Sequence, residues 1–89
     1  MSEAKLQRAI VLALEAAGCY VVNVVVAGRQ GTADLVVCAG GRFVALEVKQ
    51  PGRYPTAIQR VEAQRVAAAG GKSHVVRSVD EALAVIGGT

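Results

Sequence analysis

The sequence predicts an α/β sandwich: one mixed sheet flanked by helices, in the order α-β-β-β-α-β with a further helix at the end. Three observations carry this. Two stretches of helical period, each preceded by a capping residue, bracket a run of Val-rich segments. Two of those segments meet at Gly40-Gly41, a hairpin signal. The later of the two is followed by a helix and another strand, a crossover that lets part of the sheet run parallel.

Taken in order, Ser2 is a candidate N-cap, and Leu6, Ile10, Leu14 and Ala17 form one apolar stripe over Glu3 to Ala17. Gly18 supplies a stop. At about 100° per residue, Glu3 falls within that stripe and Glu15 nearly opposite, so Glu3 should point inward and Glu15 to solvent. Cys19 to Val26 reads as a strand, and Ala27 to Gly31 as a loop. Thr32 to Ala39 and Arg42 to Lys49 make the hairpin. Gln50 to Pro55 holds both prolines and is a loop. Thr56-Ala-Ile-Gln59 is a capping box that opens a helix to Ala69, ended by Gly70-Gly71. Ser73 to Arg77 is a short strand. Ser78-Val-Asp-Glu81 reads as a second capping box, leading a helix to Ile86.

The 89 residues have room for one small domain, 1–89. Apolar residues make up 53% and aromatics only 3%, so the core must come from Val, Ala, Leu and Ile. So apolar a short chain is expected to cover part of its surface by self-association. A net charge of +3 and a pI near 9.2 permit a polyanionic partner. Cys19 and Cys38 lie in apolar strand-like runs and read as two buried free thiols. Their spacing and the single histidine, His74, argue against a zinc site. His74 itself, in a strand, reads as structural or partly exposed. The N-terminus lacks a signal peptide's pattern, and no apolar run approaches a membrane span. A soluble, intracellular, cytoplasmic protein is the expectation.

The chemistry concentrates in the hairpin. Alternation points Glu47 and Lys49 to the same face. Asp34, near the start of one strand, and Glu47, near the end of the next, lie close together in an antiparallel pair. Charge is costly on an otherwise apolar ribbon unless it is paired or holds a cation. Two carboxylates beside a lysine suit a hard divalent metal that activates water for phosphodiester hydrolysis. The alternative for Asp34 and Glu47 is a pair of solvated carboxylates, and for Lys49 a salt bridge.

The ordered set is specific. An N-terminal helix bearing an acid precedes Gly31-Thr-Ala-Asp34 and Leu46-Glu-Val-Lys49. A helix with Gln59 and the segment Ala69-Gly-Gly-Lys-Ser-His-Val-Val76 follow. Together they resemble the PD-(D/E)XK nuclease superfamily and, within it, a standalone VRR-NUC domain, the virus-type replication and repair nuclease module. The resemblance covers nearly the whole chain. One departure is Ala33, where the family usually places proline; loop rigidity should change and the metal ligand should stay. Members embedded in larger repair enzymes also carry DNA-binding domains that this sequence lacks.

The resemblance implies a restriction-endonuclease-like fold and a metal-dependent DNA endonuclease. Asp34 and Glu47 would bind Mg²⁺ or Mn²⁺, with the Val48 carbonyl as a third oxygen. Lys49 would position or activate water, or neutralise charge on the phosphate. Glu3 is either an accessory ligand or a favourable charge at a helix N-terminus. Gln59 is either the family's glutamine near the site or part of its capping box, and one side chain is not expected to do both. Arg29, Gln30, Arg53, Tyr54 and Arg60 are candidate phosphate contacts or ordinary solvated side chains. The resemblance further implies a homodimer handling branched DNA, such as a four-way junction or flap. The rivals are a non-catalytic nucleic-acid-binding subunit and a small interaction module that keeps the fold.

Overall fold

The structure is a computed structural model that describes residues 1–88. Its elements are α1 (Glu3–Ala16), β1 (Tyr20–Asn23), β2 (Leu35–Ala39), β3 (Arg42–Val48), α2 (Ala57–Ala68), β4 (Lys72–Val76) and α3 (Val79–Gly88). The four strands lie in the order β1-β2-β3-β4. The first three are antiparallel neighbours, and β4 runs parallel to β3. The predicted mixed sheet and crossover are therefore present.

The β2–β3 turn explains the register. Gly40 and Gly41 have φ of +58° and +80°, the left-handed pair that a tight two-residue turn requires. Ala39 then faces Arg42, and Leu35 faces Leu46. Side chains alternate from that anchor. Leu35, Val37, Val44, Leu46, Val48 and Val76 share one face, all buried. Leu6, Ile10 and Leu14 of α1 and Ala82 of α3 complete this core. Burying each of the large aliphatic side chains is worth about 1.5–3 kcal/mol, so this layer holds the molecule together.

The other face is covered unevenly. Helix α2 packs against β4, yet none of its residues is buried. Ala45 and Glu47 are buried on this face. Toward β1 the face is bare: Tyr20, Val22, Cys38 and Phe43 are exposed. Cys38 thus departs from the expected buried thiol, because alternation turns it to the uncovered part of the sheet; Cys19 is half-buried, and both are free. β1 stops at Asn23, short of the expected Val26. Its last bond to the hairpin runs from Val24 N–H to the Asp34 carbonyl at 2.9 Å, and Val25 and Val26 are exposed beyond it. At α3, the Ser78 hydroxyl accepts from Glu81 N–H as expected of a cap. The Glu81 carboxylate accepts from Arg77 N–H, so the reciprocal bond is shifted by one residue. Among the described residues no helix is long and apolar enough to cross a membrane.

Candidate active site

The Leu35–Leu46 pair places Asp34 opposite Glu47 at one end of the two central strands. The Asp34 Oδ2 accepts from Val48 N–H at 2.8 Å, which holds its carboxylate across the end of β3. Glu47 is 6% exposed and hydrogen-bonded to Asp34. Burial is the largest influence on its carboxyl, followed by the hydrogen bond and negative charge of Asp34. Glu3 adds to these and Lys49 opposes them, and the carboxyl is pushed up to about 8. Near neutral pH the Glu47 carboxyl is therefore largely protonated.

Gln59 departs from the expectation that it would do one thing or the other. Its Oε1 accepts from Thr56 N–H at 2.8 Å, and Thr56 Oγ1 accepts from Gln59 N–H at 3.3 Å, the full capping box. Its Nε2 simultaneously donates to Glu47 Oε1 at 3.0 Å. A primary amide has an acceptor and a donor end, and the two are used separately. The start of α2 is thereby fastened to the buried glutamate.

The start of α1 arrives from another side. Ser2 caps the helix by accepting from Lys5 N–H at 3.2 Å. Gln50 Nε2 donates to the Met1 carbonyl at 2.6 Å, tying the chain before α1 to the residue that follows Lys49. Glu3, half-buried in the first turn, lies close enough to Glu47 to raise its carboxyl. The first turns of both helices thus adjoin Glu47, through Gln59 and Glu3.

A solved structure described as a "VRR_NUC domain" superimposes with a TM-score of 0.81 at 29% identity, over 96% of this chain and 94% of that chain. The chain is thus similar to a VRR-NUC domain over nearly its whole length and shares its fold. That likeness points to a nuclease family. No family model matches the sequence, and no curated protein does.

The site offers Asp34, Glu47 and a backbone oxygen. A residue in an extended strand directs its N–H and C=O to the same side, so the Val48 carbonyl faces the side of Asp34. Among the described residues no three His, Cys, Asp or Glu side chains form a group that could hold a metal unaided. Mg²⁺ typically takes one or two carboxylates and leaves its other positions to water and substrate phosphates. The donor set fits an ion bound in that manner, together with a nucleic acid.

Of the other predicted residues, Arg29 is engaged within the protein. Its guanidinium meets Glu62 at 2.7 and 3.2 Å, and holds that carboxyl below its ordinary range. Arg65 joins Glu62 at 3.3 Å. This pair pins the loop before Asp34 against α2. Gly31, with φ of +78°, makes the same approach: a Cβ there would lie 2.7 Å from the Ile58 carbonyl oxygen. Gln30 and Arg53 are exposed. Arg60 donates to the Pro55 carbonyl at 2.7 Å. His74 is half-buried, and its Nε2 has no hydrogen-bond partner among the described residues. A cavity of about 610 Å³ runs between α2 and the sheet, with Glu47 and Gln59 on one wall and Val36, Phe43, Ala45 and Val66 among the apolar ones. Sequence reading missed Arg77. Lys49 N–H donates to the Val76 carbonyl at 3.0 Å, so Arg77 follows directly where β4 meets Lys49, and only the parallel register reveals that.

Two expected outcomes follow from this geometry. Glu3→Ala should weaken activity more than Glu15→Ala, because only Glu3 acts electrostatically on Glu47. Equal effects in a cleavage assay would leave Glu3 as a helix-end charge alone. The raised Glu47 carboxyl also sets a pH dependence. Protonation favours the fold, so this contribution is fully present below the ordinary value of 4.5 and is lost as pH rises through about 8. The metal-free protein should therefore melt at lower temperature at pH 8 than at pH 6, relative to Glu47→Gln. Millimolar Mg²⁺ or Mn²⁺ should recover more stability at the higher pH. Parallel melting profiles for wild type and Glu47→Gln would contradict this.

Proposed function

We propose that this VRR-NUC domain is a metal-dependent, structure-selective DNA endonuclease that works as a homodimer on branched DNA. The observation that carries the reading is the Asp34–Glu47 carboxyl pair, bonded to Gln59 and beside Lys49, at the open end of the sheet. A buried glutamate set against a second carboxylate is a poor structural device and a good cation site. When bound there, Mg²⁺ or Mn²⁺ supplies Lewis-acid polarisation of the scissile phosphate. The protein does the rest. Val48 N–H orients Asp34, Gln59 orients Glu47, and Lys49 supplies positive charge where negative charge builds on the phosphate.

The dimer reading is supported by the bare part of the sheet. Tyr20 is 71% and Phe43 48% exposed, on the same face as Val22 and Cys38. A second copy meeting this face about a two-fold axis would present equivalent sites to equivalent strands. Net charge of +3 favours a polyanion without base reading.

The deciding experiment is Mn²⁺-dependent cleavage across four-way junction, flap, single-stranded and linear duplex DNA, with sedimentation on the same sample. The expected result is a species of twice 9.1 kDa that cuts a junction on two opposed strands. Binding should weaken steeply with salt, through counterion release. A monomer that cuts linear duplex as fast as a junction would rule out the branched-DNA dimer. No cleavage of any substrate would leave the non-catalytic binding module.

A further inference from the structure

Aromatic side chains are scarce in this chain: one Phe, two Tyr and no Trp. One of the three, Tyr54, stands 74% exposed in the loop that begins after Lys49. The loop is built to hold it still. Pro51 and Pro55 fix φ on either side. Arg77 Nη2 donates to the Arg53 carbonyl at 2.9 Å, and Arg60 Nη1 donates to the Pro55 carbonyl at 2.7 Å. The carbonyls before and after Tyr54 are thus each clamped by an arginine from a separate element. The Arg77 guanidinium also lies over the Tyr54 ring, 5.2 Å from its centroid. With one face of the ring occupied and most of the residue exposed, the other face is open to solvent.

We infer that Tyr54 is a stacking platform for one unpaired nucleobase next to the scissile phosphate, and that Arg77 is the positioning residue that aims the ring. The inference rests on the nuclease reading and names the part of the substrate recognised. A base inside a duplex has both faces covered by its neighbours. A base at a junction, flap or single-stranded end offers a free π-face. Stacking on an aromatic ring is indifferent to base identity, so the platform selects unpaired DNA without reading sequence. Arg53, exposed beside the ring, supplies charge for the adjoining phosphate. Lys49 N–H donates to the carbonyl of Val76, the residue before Arg77, at 3.0 Å, so the platform adjoins the residue assigned to the phosphate.

The test uses the full chain with metal chelated, so binding is read apart from cleavage. The probes are a single-stranded oligonucleotide carrying 2-aminopurine, whose fluorescence falls on stacking, and a blunt duplex of the same sequence. Tyr54→Ala should lower affinity for the single strand by roughly 5- to 150-fold. It should abolish the quench and change duplex affinity far less. Tyr54→Phe, which keeps the ring, should retain both affinity and quench. Arg77→Gln should weaken the quench while the ring is still present. Melting curves confirm folding, which an exposed side chain should not disturb.

Equal losses on single strand and duplex, or loss in Tyr54→Phe as great as in Tyr54→Ala, would overturn the platform and leave a backbone contact through the hydroxyl. Unchanged binding in Tyr54→Ala would overturn it outright while the nuclease reading stood. Failure of the wild-type protein to bind either DNA would overturn both.

Discussion

Asp34→Asn and Glu47→Gln should each reduce metal-dependent cleavage to below about one thousandth of the wild-type rate, with the fold intact. The two substitutions are chosen for what they preserve. An asparagine at position 34 can still accept from Val48 N–H, so β3 keeps its bond at 2.8 Å. A glutamine at position 47 is nearly isosteric with the protonated acid, and its carbonyl can still accept from Gln59. At pH 8 the Glu47→Gln protein should be at least as stable as wild type without metal, because it no longer titrates there. Loss of turnover alongside retained or raised melting temperature would separate chemistry from folding. Full activity in either variant, with contaminating nuclease excluded, would sink the assignment.

Lys49→Ala should lower the rate by roughly two to four orders of magnitude, as for loss of a general catalytic or electrostatic group. Its effect on cation binding should differ in kind. Lys49 is the one influence that lowers the Glu47 carboxyl, against burial, Asp34 and Glu3. Removing it should push that carboxyl further up and extend the range over which a proton competes with metal. Titration calorimetry should then show metal binding largely retained at pH 9 and weakened at pH 7. Binding lost at every pH, with a high residual rate, would assign Lys49 to the site's assembly and not to its chemistry.

The site was legible in the sequence because of two glycines. A two-residue turn at Gly40-Gly41 fixes the pairing arithmetic, and the arithmetic carries Asp34 to Glu47 without any tertiary information. The crossover to β4 was legible for a different reason: a helix of the right length separates two strand patterns. What local pattern could not supply was which part of each sheet face a helix covers. Cys38 sits in an apolar run, but its face lacks a helix at that point. Val24 to Val26 has strand composition, but the chain leaves the sheet there to reach the loop that Arg29 and Gly31 hold against α2. Gln59 was mistaken for a choice between two roles because its amide was treated as one group. Arg77 carried no motif, and its place beside Tyr54 depends on a partner strand distant in sequence.

Helix α2 has a consequence for how the molecule fails. It buries none of its residues and is attached at a few points: the Gln59 bond to Glu47, the Arg29–Glu62 pair, Arg60 on Pro55 and the packing on β4. A segment held this way opens at a lower free energy than the layer of Ile10, Leu14 and Leu46 beneath the other face. The cooperative unit that comes loose first is then the one carrying Gln59. One part of the candidate site therefore belongs to the weaker half of the protein, while its carboxylates stay with the central strands. Local unfolding of α2 would free Glu47 from Gln59 while the core remained native.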